Sequence, residues 1–439
     1  MSQFDHITWF RASSPYINSY RGKTFVIYLP GEAVLHPNFY TIIQDLTLLH
    51  SLGIRLVIVH GARPQINERL QREGIESPFV NEQRITDEAA LPLVLQAVGE
   101  TRFYVEAALS TGMPNSPMYN AEIRVASGNY VVGMPKGVID GVDFHFTGKV
   151  RKIEAESIEA ALNARAVVIT SPIGFSATGE LFNVSSLDVA TRVATALNAD
   201  KLIVFVEPDG LYMEDGELLR QVSVSECRYY LNDASIAASD ASSALKACYQ
   251  ACNQGVPRAQ IVSYIEDGAL IEELFTRDGS GTLVHSDSYE VVRRATIDDV
   301  GGILALIAPL EEQGILVRRS RELLEAEINR FYVLEIDGMI IGCCGLYGYG
   351  ESDMAEVAAV ATHPGFQGKG LGAKLMGYVE QQARSQGYTS LFVLTTQTAH
   401  WFIEHGFRAA ELTQLPAQKQ SLYNLQRRSK VFIKPLTNG

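Results

Sequence analysis

The sequence predicts an α/β protein with two domains of different architecture. The chain has 439 residues, more than one ordinary hydrophobic core accommodates, so two or three domains are expected. Up to residue 285, short apolar β-rich runs alternate with helical patterns, which is typical of βαβ units in a mostly parallel sheet. From residue 291 the pattern changes and includes a hairpin. We therefore expect a parallel-sheet sandwich followed by a mixed α/β domain.

The elements of the first domain are predicted from hydrophobic periodicity and from end signals. The predicted strands are the short apolar, β-branched runs at 24–29, 55–60, 166–171, 201–206 and 260–264. The predicted helices are the amphipathic stretches between them, at 39–52, 64–72, 87–98, 185–197 and 268–276. A sheet covered by helices on both faces follows from this order.

A polar stretch at 278–288 marks the domain boundary. We expect a first domain at 1–285, a linker at 286–290 and a second domain at 291–439. The second domain is predicted to contain strands at 291–295 and 356–362, a helix at 297–306, and a hairpin of 331–336 with 339–346. A further helix is predicted to bury Leu371, Leu375, Tyr378, Val379 and Ala383, which recur at helical spacing.

Composition excludes several function classes. Apolar residues make up 46% of the chain and the net charge is −13, which argues against non-specific binding to nucleic acid or anionic membranes. The five cysteines form no CxxC pair, as expected for a reduced intracellular protein. Cys248 and Cys252 are one helical turn apart, but no further ligand completes a site, so we expect no metal. Without a secretory signal or an apolar run of about 18 residues, we expect a soluble cytoplasmic protein.

One glycine-rich segment carries the strongest functional signal. It consists of the six consecutive residues Gln367, Gly368, Lys369, Gly370, Leu371 and Gly372, at the start of a predicted helix. Such a turn directs free backbone N–H groups at an anion, and the missing side chains let a phosphate approach closely. The alternative is a glycine-rich loop that only closes a strand–helix unit.

These six residues fit the pattern Gln/Arg-x-x-Gly-x-Gly/Ala and resemble the pyrophosphate loop of GNAT-superfamily acetyltransferases. The Gly406-Phe407 pair and the order of elements over 291–436 are similar to that superfamily as well. The resemblance implies acetyl-coenzyme A as co-substrate, held by this loop. It further implies that backbone N–H groups of Val360 and Thr362 bind the pantetheine.

The first domain resembles the amino-acid-kinase family, and N-acetylglutamate kinase in particular. The segments that carry the resemblance are LVIVHGARPQIN (56–67), FNV (182–184), ADKLIVFVEPDGLY (199–212) and ELFTRDGSGT (273–282). The family ends its first strand with a lysine that neutralises the transferring phosphoryl group. Tyr28 stands there in this chain, and Gly61-Ala62-Arg63 replaces a triple-glycine turn. A regulatory or structural role is therefore expected.

A kinase-like domain fused to a GNAT domain is the layout of the N-acetylglutamate synthase family, and the resemblance covers essentially the full chain. It implies transfer of acetyl from acetyl-coenzyme A to the α-amine of L-glutamate, the first step of arginine biosynthesis. Direct attack on the thioester without a covalent acyl-enzyme, feedback inhibition by L-arginine and a homo-hexamer are also implied.

Two residues are candidates for the proton transfers. The amine of glutamate is mostly protonated near pH 7, so a carboxylate must act as base, directly or through water, and Glu356 is the candidate. Many GNAT enzymes protonate the thiolate with a tyrosine, but Phe402 occupies that position. The resemblance moves this role to Thr395. The alternatives are a solvent-exposed glutamate at a strand end and a threonine chosen for β-propensity.

Two basic clusters are candidates for the carboxylates of glutamate, because a guanidinium binds a carboxylate bidentately. The resemblance places Arg319, Arg427 and Ser429 on the side-chain carboxylate. It places the main-chain N–H groups of Val317 and Ala359 on the α-carboxylate. The alternative is that both clusters are solvated surface runs.

The resemblance also implies an arginine site between an N-terminal helix, at about 11–20, and the last helix–loop of the kinase-like domain. Glu273 would pair with the guanidinium, Gly279 would let backbone approach the carboxylate, and Tyr16 would pack on the aliphatic stem. Tyr16 in a packed amphipathic helix and Gly279 in a linker turn are the alternatives. Two other functions remain open at this point: an active amino-acid kinase fused to an acetyltransferase, and a non-catalytic arginine-sensing scaffold.

Overall fold

The computed structural model describes residues 3–80, 82–111, 118–213, 216–232, 241–276, 278–286, 291–336, 339–350, 352–366, 370–396, 398–421, 423 and 429–436. Its contacts divide the chain into two compact units, Met1–Tyr289 and Glu290–Gly439. Within the described residues, no helix is long and apolar enough to cross a lipid bilayer.

The first unit contains a mostly parallel central sheet. Its strands, in chain order, are β1 (Thr24–Leu29), β2 (Arg55–His60), β3 (Phe79–Val80), β4 (Gln83–Arg84), β5 (Arg124–Ser127), β6 (Val131–Pro135), β7 (Val138–Ile139), β8 (Val142–Asp143), β9 (Gly148–Ile153), β10 (Ala166–Thr170), β11 (Ile173–Phe175), β12 (Leu181–Asn183), β13 (Lys201–Val206), β14 (Gln221–Ser223), β15 (Arg258–Ser263) and β16 (Thr282–His285). The central sheet has the order β14-β16-β15-β13-β1-β2-β10-β5, and a smaller sheet has the order β12-β11-β6-β9. Within the central sheet only β15 and β16 pair antiparallel.

Helices cover both faces of this sheet. They are α1 (Gln3–Tyr20), α2 (Gly31–Leu35), α3 (Phe39–Ser51), α4 (Arg63–Arg72), α5 (Ala90–Leu109), α6 (Ala155–Asn163), α7 (Ser186–Ala196), α8 (Val224–Tyr230), α9 (Ser242–Asn253) and α10 (Ala269–Phe275). Alternate residues of β1 enter opposite cores: Val26 packs with one core, and Phe25 and Ile27 pack with the other. Both faces are therefore buried, which explains why the strand is continuously apolar.

Two helices of the first unit differ from their predicted bounds. Helix α5 begins at Ala90 and runs to Leu109, beyond the predicted 87–98, because apolar residues continue to recur on its buried face. Asp87 precedes it, and its Oδ1 accepts a hydrogen bond from Ala90 N at 2.8 Å. Helix α1 is longer than the predicted 11–20 and contains Pro15.

The second unit is built on one mixed sheet. Its strands are β17 (Val291–Arg294), β18 (Phe331–Ile336), β19 (Met339–Gly348), β20 (Met354–Thr362), β21 (Ser390–Thr395), β22 (Arg408–Ala410) and β23 (Lys430–Pro435). Its helices are α11 (Val300–Glu312), α12 (Arg321–Glu327), α13 (Leu371–Ser385), α14 (Ala399–Glu404) and α15 (Ala417–Ser421). The strand order is β17-β18-β19-β20-β21-β23-β22, and the β20–β21 pair is the parallel one. The predicted α/β fold of both domains is confirmed.

A β-bulge interrupts β20 and changes which side chains face each core. Ala358 lies opposite Gly345 and Ala361 lies opposite Cys343, so two residues of β20 oppose one of β19. Ala359, in this bulge, has a φ of 51°, in the left-handed region. Because of the extra residue, Ala359 and Ala361 pack into the core beside α11, while Val360 packs on the α13 side.

Candidate active site

A cleft opens in the second sheet where β20 and β21 diverge. These strands pair in parallel register only from Met354 opposite Ser390 to Glu356 opposite Phe392. Beyond Glu356, β20 continues to pair with β19 as far as Thr362, whereas β21 continues to pair with β23. Among the described residues, one edge of β20 therefore has no strand partner from residue 357 onward.

Backbone N–H groups of β20 face this open edge. His363 N donates to Ile341 O of β19 at 2.8 Å, so the N–H groups of the alternate residues Thr362 and Val360 are directed away from β19. An unpaired edge with free N–H groups can hydrogen-bond an extended chain that carries carbonyl groups, as pantetheine does.

Helix α13 begins beside this edge with the glycines of the predicted phosphate loop. Gly370 is its N-cap residue, with a φ of 73° that favours glycine. A Cβ on Gly372 would lie 3.1 Å from Trp401 Cζ2, so this glycine allows close packing as well. Leu371 is buried and can contribute only its backbone N–H to a ligand. The other three predicted loop residues, Gln367, Gly368 and Lys369, lie outside the described residues.

Glu356 lies at the point where the cleft opens, and it is buried rather than exposed. It is the third residue of β20, not its first as predicted, and its side chain is 9% exposed. Among the described residues, both hydrogen bonds to its carboxylate reach the same oxygen, Oε2: one from Tyr349 Oη and one from Lys419 Nζ at 2.7 Å. The alternative of a solvated strand end is therefore wrong.

Sequence reasoning did not identify Tyr347, Tyr349 or Lys419. Tyr347 lies directly opposite Glu356 on β19, and the two side chains therefore share one face of the sheet. Burial raises the pKa of Tyr347 to about 12, and burial followed by the charge of Glu356 raises the pKa of Tyr349 further. The two tyrosines could have been predicted from the sequence as neighbours of Glu356. Residues two apart along an extended chain lie on the same face, and Tyr347 and Tyr349 both lie on the face of Glu356.

The predicted carboxylate clamp is brought partly to this face. Arg319 contacts Tyr347 and is half-buried, and its Nη1 donates to Val317 O at 3.1 Å. Glu311 Oε1 accepts from Arg319 N at 3.0 Å, which fixes the backbone between them. Val317 itself is 58% exposed. Arg427 lies outside the described residues.

Thr395 and Ser429 lie together on the β21 side of the cleft. Thr395 is the last residue of β21 and lies opposite Lys430, which directly follows Ser429. Thr395 is 7% exposed. Its hydroxyl oxygen lies 2.8 Å from Oγ1 of Thr398, the residue that precedes α14. Tyr423 Oη donates to Ser429 O at 2.7 Å. Glu356 and Thr395 thus lie on the two strands that border the cleft.

The three predicted arginine-site residues are clustered in the first unit. Glu273 Oε2 accepts from Ser280 N and Gly281 N, both at 2.9 Å. Gly279 has a φ of 64°, and a Cβ there would lie 2.5 Å from Glu273 Oε2. This contact alone explains the glycine. Tyr16 on α1 is half-buried, and its ring lies 6.3 Å from that of Tyr20.

Lys201 is an additional charged group in this cluster that sequence reasoning missed. It is 3% exposed, and its Nζ has no hydrogen-bond partner among the described residues. The ammonium lies 4.9 Å from the ring centroid of Tyr20. Burial and then Arg258 hold the pKa of Lys201 well below its usual value, whereas Glu273 opposes this shift. A buried amino group that contacts aromatic rings but has no hydrogen-bond partner among the described residues is a candidate ligand for a carboxylate.

A partly buried tyrosine occupies the position of the missing kinase lysine. Tyr28 is packed against the core with its hydroxyl 3.4 Å from Ser186 Oγ, and burial raises its pKa to about 12. Gln65 Nε2 donates to Gly31 O at 2.9 Å, and a Cβ on Gly31 would lie 2.5 Å from Gln65 Oε1. A neutral phenol cannot neutralise a phosphoryl group as an ammonium does.

In the described part of the chain, no group of three or more His, Cys, Asp or Glu residues is arranged to hold a metal ion. Cys343 and Cys344 lie near the cleft on β19, but both are buried and burial raises the pKa of Cys343 to about 12. Neither thiol is poised as a nucleophile.

Two known families match successive parts of the chain. Residues 23–263 match the amino acid kinase family, and residues 303–407 match the acetyltransferase (GNAT) family. Relatives named amino-acid acetyltransferase from Ectopseudomonas mendocina, Pseudomonas putida and Azotobacter vinelandii are each 51% identical over 98% of this chain and 100% of their own length.

Two solved structures of N-acetylglutamate synthase from Neisseria gonorrhoeae are similar to nearly the whole chain. The complex with coenzyme A and L-arginine has a TM-score of 0.86 and 34% identity, covering 98% of this chain and 99% of that one. The complex with coenzyme A and N-acetyl-glutamate has a TM-score of 0.62 at the same identity and coverage. The chain therefore belongs to the amino-acid acetyltransferase (N-acetylglutamate synthase) family and is an acyltransferase in which a GNAT domain follows an amino-acid-kinase domain.

Proposed function

We propose that this protein transfers the acetyl group of acetyl-coenzyme A to the α-amine of L-glutamate and is inhibited by L-arginine bound to its kinase-like unit. The observation that carries the proposal is the buried carboxylate of Glu356 at the residue where β20 and β21 diverge. The relatives' names and the N-acetyl-glutamate and arginine complexes of the Neisseria protein support the choice of substrates.

The residues of the cleft fit acetyl-coenzyme A. The N–H groups of Val360 and Thr362 would bind the pantetheine along the open edge of β20, and the start of α13 at Gly370–Gly372 would bind the pyrophosphate. Gln367, Gly368 and Lys369 complete this loop in the proposal. When bound, the co-substrate supplies a thioester whose carbonyl carbon accepts the amine.

Glu356 acts as the base in this proposal. It takes a proton from the substrate ammonium, directly or through water, and leaves an amine that can attack the thioester. The N–H of Val360 would stabilise negative charge on the carbonyl oxygen, and Thr395 would return a proton to the departing thiolate. The buried, neutral thiols of Cys343 and Cys344 favour direct attack over a covalent acyl-enzyme.

Substrate selection would come from two carboxylate sites. Arg319, Arg427 and Ser429 would bind the side-chain carboxylate, and the N–H groups of Val317 and Ala359 would bind the α-carboxylate. The left-handed conformation of Ala359 supports its part, because a bulge turns backbone groups out of the regular ladder. Glutamate should therefore be preferred to glutamine, which lacks the second charge.

For regulation, we place arginine between α1 and α10. Glu273 would pair with its guanidinium, Lys201 would bind its carboxylate, and Tyr16 would pack on its stem near Gly279. The exposed apolar residues of α1, which include Trp9 and Phe10, support a homo-oligomer in which this helix pairs subunits. Arginine would then act through subunit contacts rather than by blocking glutamate.

One assay separates this proposal from its two rivals. Thiol release from acetyl-coenzyme A is followed with glutamate, with and without arginine, and N-acetylglutamate is quantified by mass spectrometry. We expect equal amounts of thiol and product, and inhibition by arginine that glutamate does not relieve. Background thiol release would favour the scaffold, and ATP-dependent phosphorylation of acetylglutamate would favour the kinase. The neutral phenol of Tyr28, at the position where the kinases carry a lysine, argues against the latter.

A further inference from the structure

We propose that Lys419 and Tyr349 position the base: they hold Glu356 Oε2, so that the other oxygen, Oε1, is the one that accepts the substrate proton. Lys419 is the charged member of this pair, and its Nζ lies 2.7 Å from Oε2. The inference rests on the proposed function and adds two positioning residues to the same site.

The first support is the pattern of hydrogen bonds. Lys419 Nζ donates to Oε2 at 2.7 Å and Tyr349 Oη donates to the same oxygen. Two donors on one oxygen fix the plane of the carboxylate and leave the lone pairs of Oε1 for another donor. Among the described residues, none donates to Oε1. The substrate ammonium, or a water that it protonates, is such a donor.

The second support is the burial of the ion pair. The side chains of Lys419 and Glu356 are 17% and 9% exposed, and charged groups so shielded from water are normally paired with each other. Lys419 lies on the short helix α15, whose neighbour Leu415 is buried with Phe392 and Tyr349. The helix itself buries no residue, so the ammonium is held by the buried Leu415 that precedes the helix and by its own contact with Glu356.

The titratable groups around Glu356 come from more than one element. Tyr347 faces it from β19, and Tyr349 faces it from the residue directly after that strand. Lys419 faces it from α15, whereas its neighbour on β21 is Phe392. Burial raises the pKa of both tyrosines, so they remain neutral donors over the working range. Lys419 is then the one positive charge in direct contact with the base among the described residues.

The proton transfer is balanced within this arrangement. One N–H bond of the substrate ammonium breaks and one O–H bond forms at Oε1, while Oε2 keeps its two donors. The negative charge of Glu356 is neutralised in this step. Lys419 stays protonated throughout, so it acts through Glu356 and is a positioning residue rather than a catalytic one.

Three substitutions separate the effect of the positive charge of Lys419 from that of its hydrogen bond. Lys419→Met removes the charge and the donor, Lys419→Gln keeps a neutral donor, and Lys419→Arg keeps the charge. We expect Lys419→Met to lower kcat about 10- to 100-fold with an unchanged KM for acetyl-coenzyme A. In both neutral variants the acid limb of kcat should move to higher pH, because a cation beside the carboxylate is lost. Lys419→Arg should keep the acid limb in place.

Lys434→Met is the matched control, because it breaks a similarly shielded pair in the same unit. Lys434 Nζ lies 2.5 Å from Glu380 Oε1, with side chains 22% and 11% exposed. Loss of the Lys434–Glu380 ion pair should lower the unfolding temperature without changing the pH dependence of kcat. Tyr349→Phe should lower kcat and leave the KM for acetyl-coenzyme A unchanged, because it removes one of the two donors that orient Oε2.

A second readout does not depend on turnover. Infrared difference spectra of the free protein, with Glu356→Gln as reference, follow the carboxylate band of Glu356 against pH. We expect its midpoint to rise in Lys419→Met and Lys419→Gln and to stay in Lys419→Arg. Midpoints and acid limbs equal to wild type in both neutral variants would overturn the inference, as would a rise in kcat. Wild-type protein that forms no N-acetylglutamate would instead contradict the proposed function.

Discussion

Glu356 and Phe392 form the last pair of residues at which β20 and β21 lie side by side. Beyond this pair the two strands find different partners, β19 and β23, so a strand edge is exposed directly after the carboxylate. The candidate base and the candidate binding edge are therefore produced by one topological event.

Replacing Glu356 with Gln should abolish most turnover while acetyl-coenzyme A still binds. A positioned base typically contributes about 10²–10⁴-fold, and the loss should be greatest at low pH, where the substrate amine is fully protonated. Steady-state rates of thiol release and calorimetric binding of coenzyme A measure the two effects. Near-normal turnover would rule out Glu356 as the base.

Gly370→Val should raise the KM for acetyl-coenzyme A. The residue has a φ of 73° and open space around it, so the substitution strains the backbone and crowds the anion site without a core clash. Gly377→Val is the control, since Gly377 lies within the same helix and has no positive φ. A Cβ added there would also meet no described atom within 4 Å. An effect on glutamate KM alone would show that the loop does not bind the pyrophosphate.

Arg319→Ala should raise the KM for glutamate about 10- to 100-fold and leave the KM for acetyl-coenzyme A unchanged, because one partner of a substrate carboxylate is lost. Arg318→Ala is the matched control, since Arg318 is its exposed sequence neighbour. Arg427→Ala should behave like Arg319→Ala. If the variants still prefer glutamate to glutamine as strongly as wild type does, the two-carboxylate clamp is wrong.

Tyr16→Ala and Lys201→Met should each reduce inhibition by arginine while glutamate acetylation without arginine changes little. Tyr16 lies beside Tyr20. Lys201 Nζ lies over the ring of Tyr20 and has no hydrogen-bond partner among the described residues. Inhibition curves at several glutamate concentrations measure the effect, with Lys246→Met on the exposed side of α9 as control. Strictly competitive inhibition, untouched by these substitutions, would contradict the site.

His60 should make the kinase-like unit less stable in acid. Burial lowers the pKa of His60 from 6.5 to about 4, and its Nε2 lies 2.9 Å from Ser171 Oγ. The unfolded chain therefore binds the proton first, so stability is full above pH 6.5 and falls as the pH drops towards 4. The full shift corresponds to about 3 kcal/mol.

His60→Gln should flatten this part of the pH dependence, measured as unfolding temperature between pH 4 and 8. His400→Gln, at an exposed position, should leave the dependence as in wild type. An unchanged slope in His60→Gln would show that other groups cause the acid sensitivity.

Local pattern in the sequence was sufficient for the fold and for part of the site. The apolar runs that became β1, β2 and β13 were predicted because both faces of a central parallel strand are buried. The Gly370–Gly372 turn was predicted because its requirement is local: a left-handed residue and a helix start with free N–H groups. The first and last residues of helices were predicted less accurately, as for α5, because capping and packing compete at helix ends.

Only the tertiary structure decided how the reacting groups are held. Lys419 lies 63 residues from Glu356, and no periodicity connects them. The bulge at Ala359 reverses the facing of Val360 and Thr362, which strict alternation from Glu356 would place on the opposite face. In the sequence, nothing distinguishes Lys201 from other strand residues. In the folded structure, its amino group is buried beside Tyr20. Sequence pattern records which face is apolar, whereas charge pairing and strand divergence depend on segments that meet only after folding.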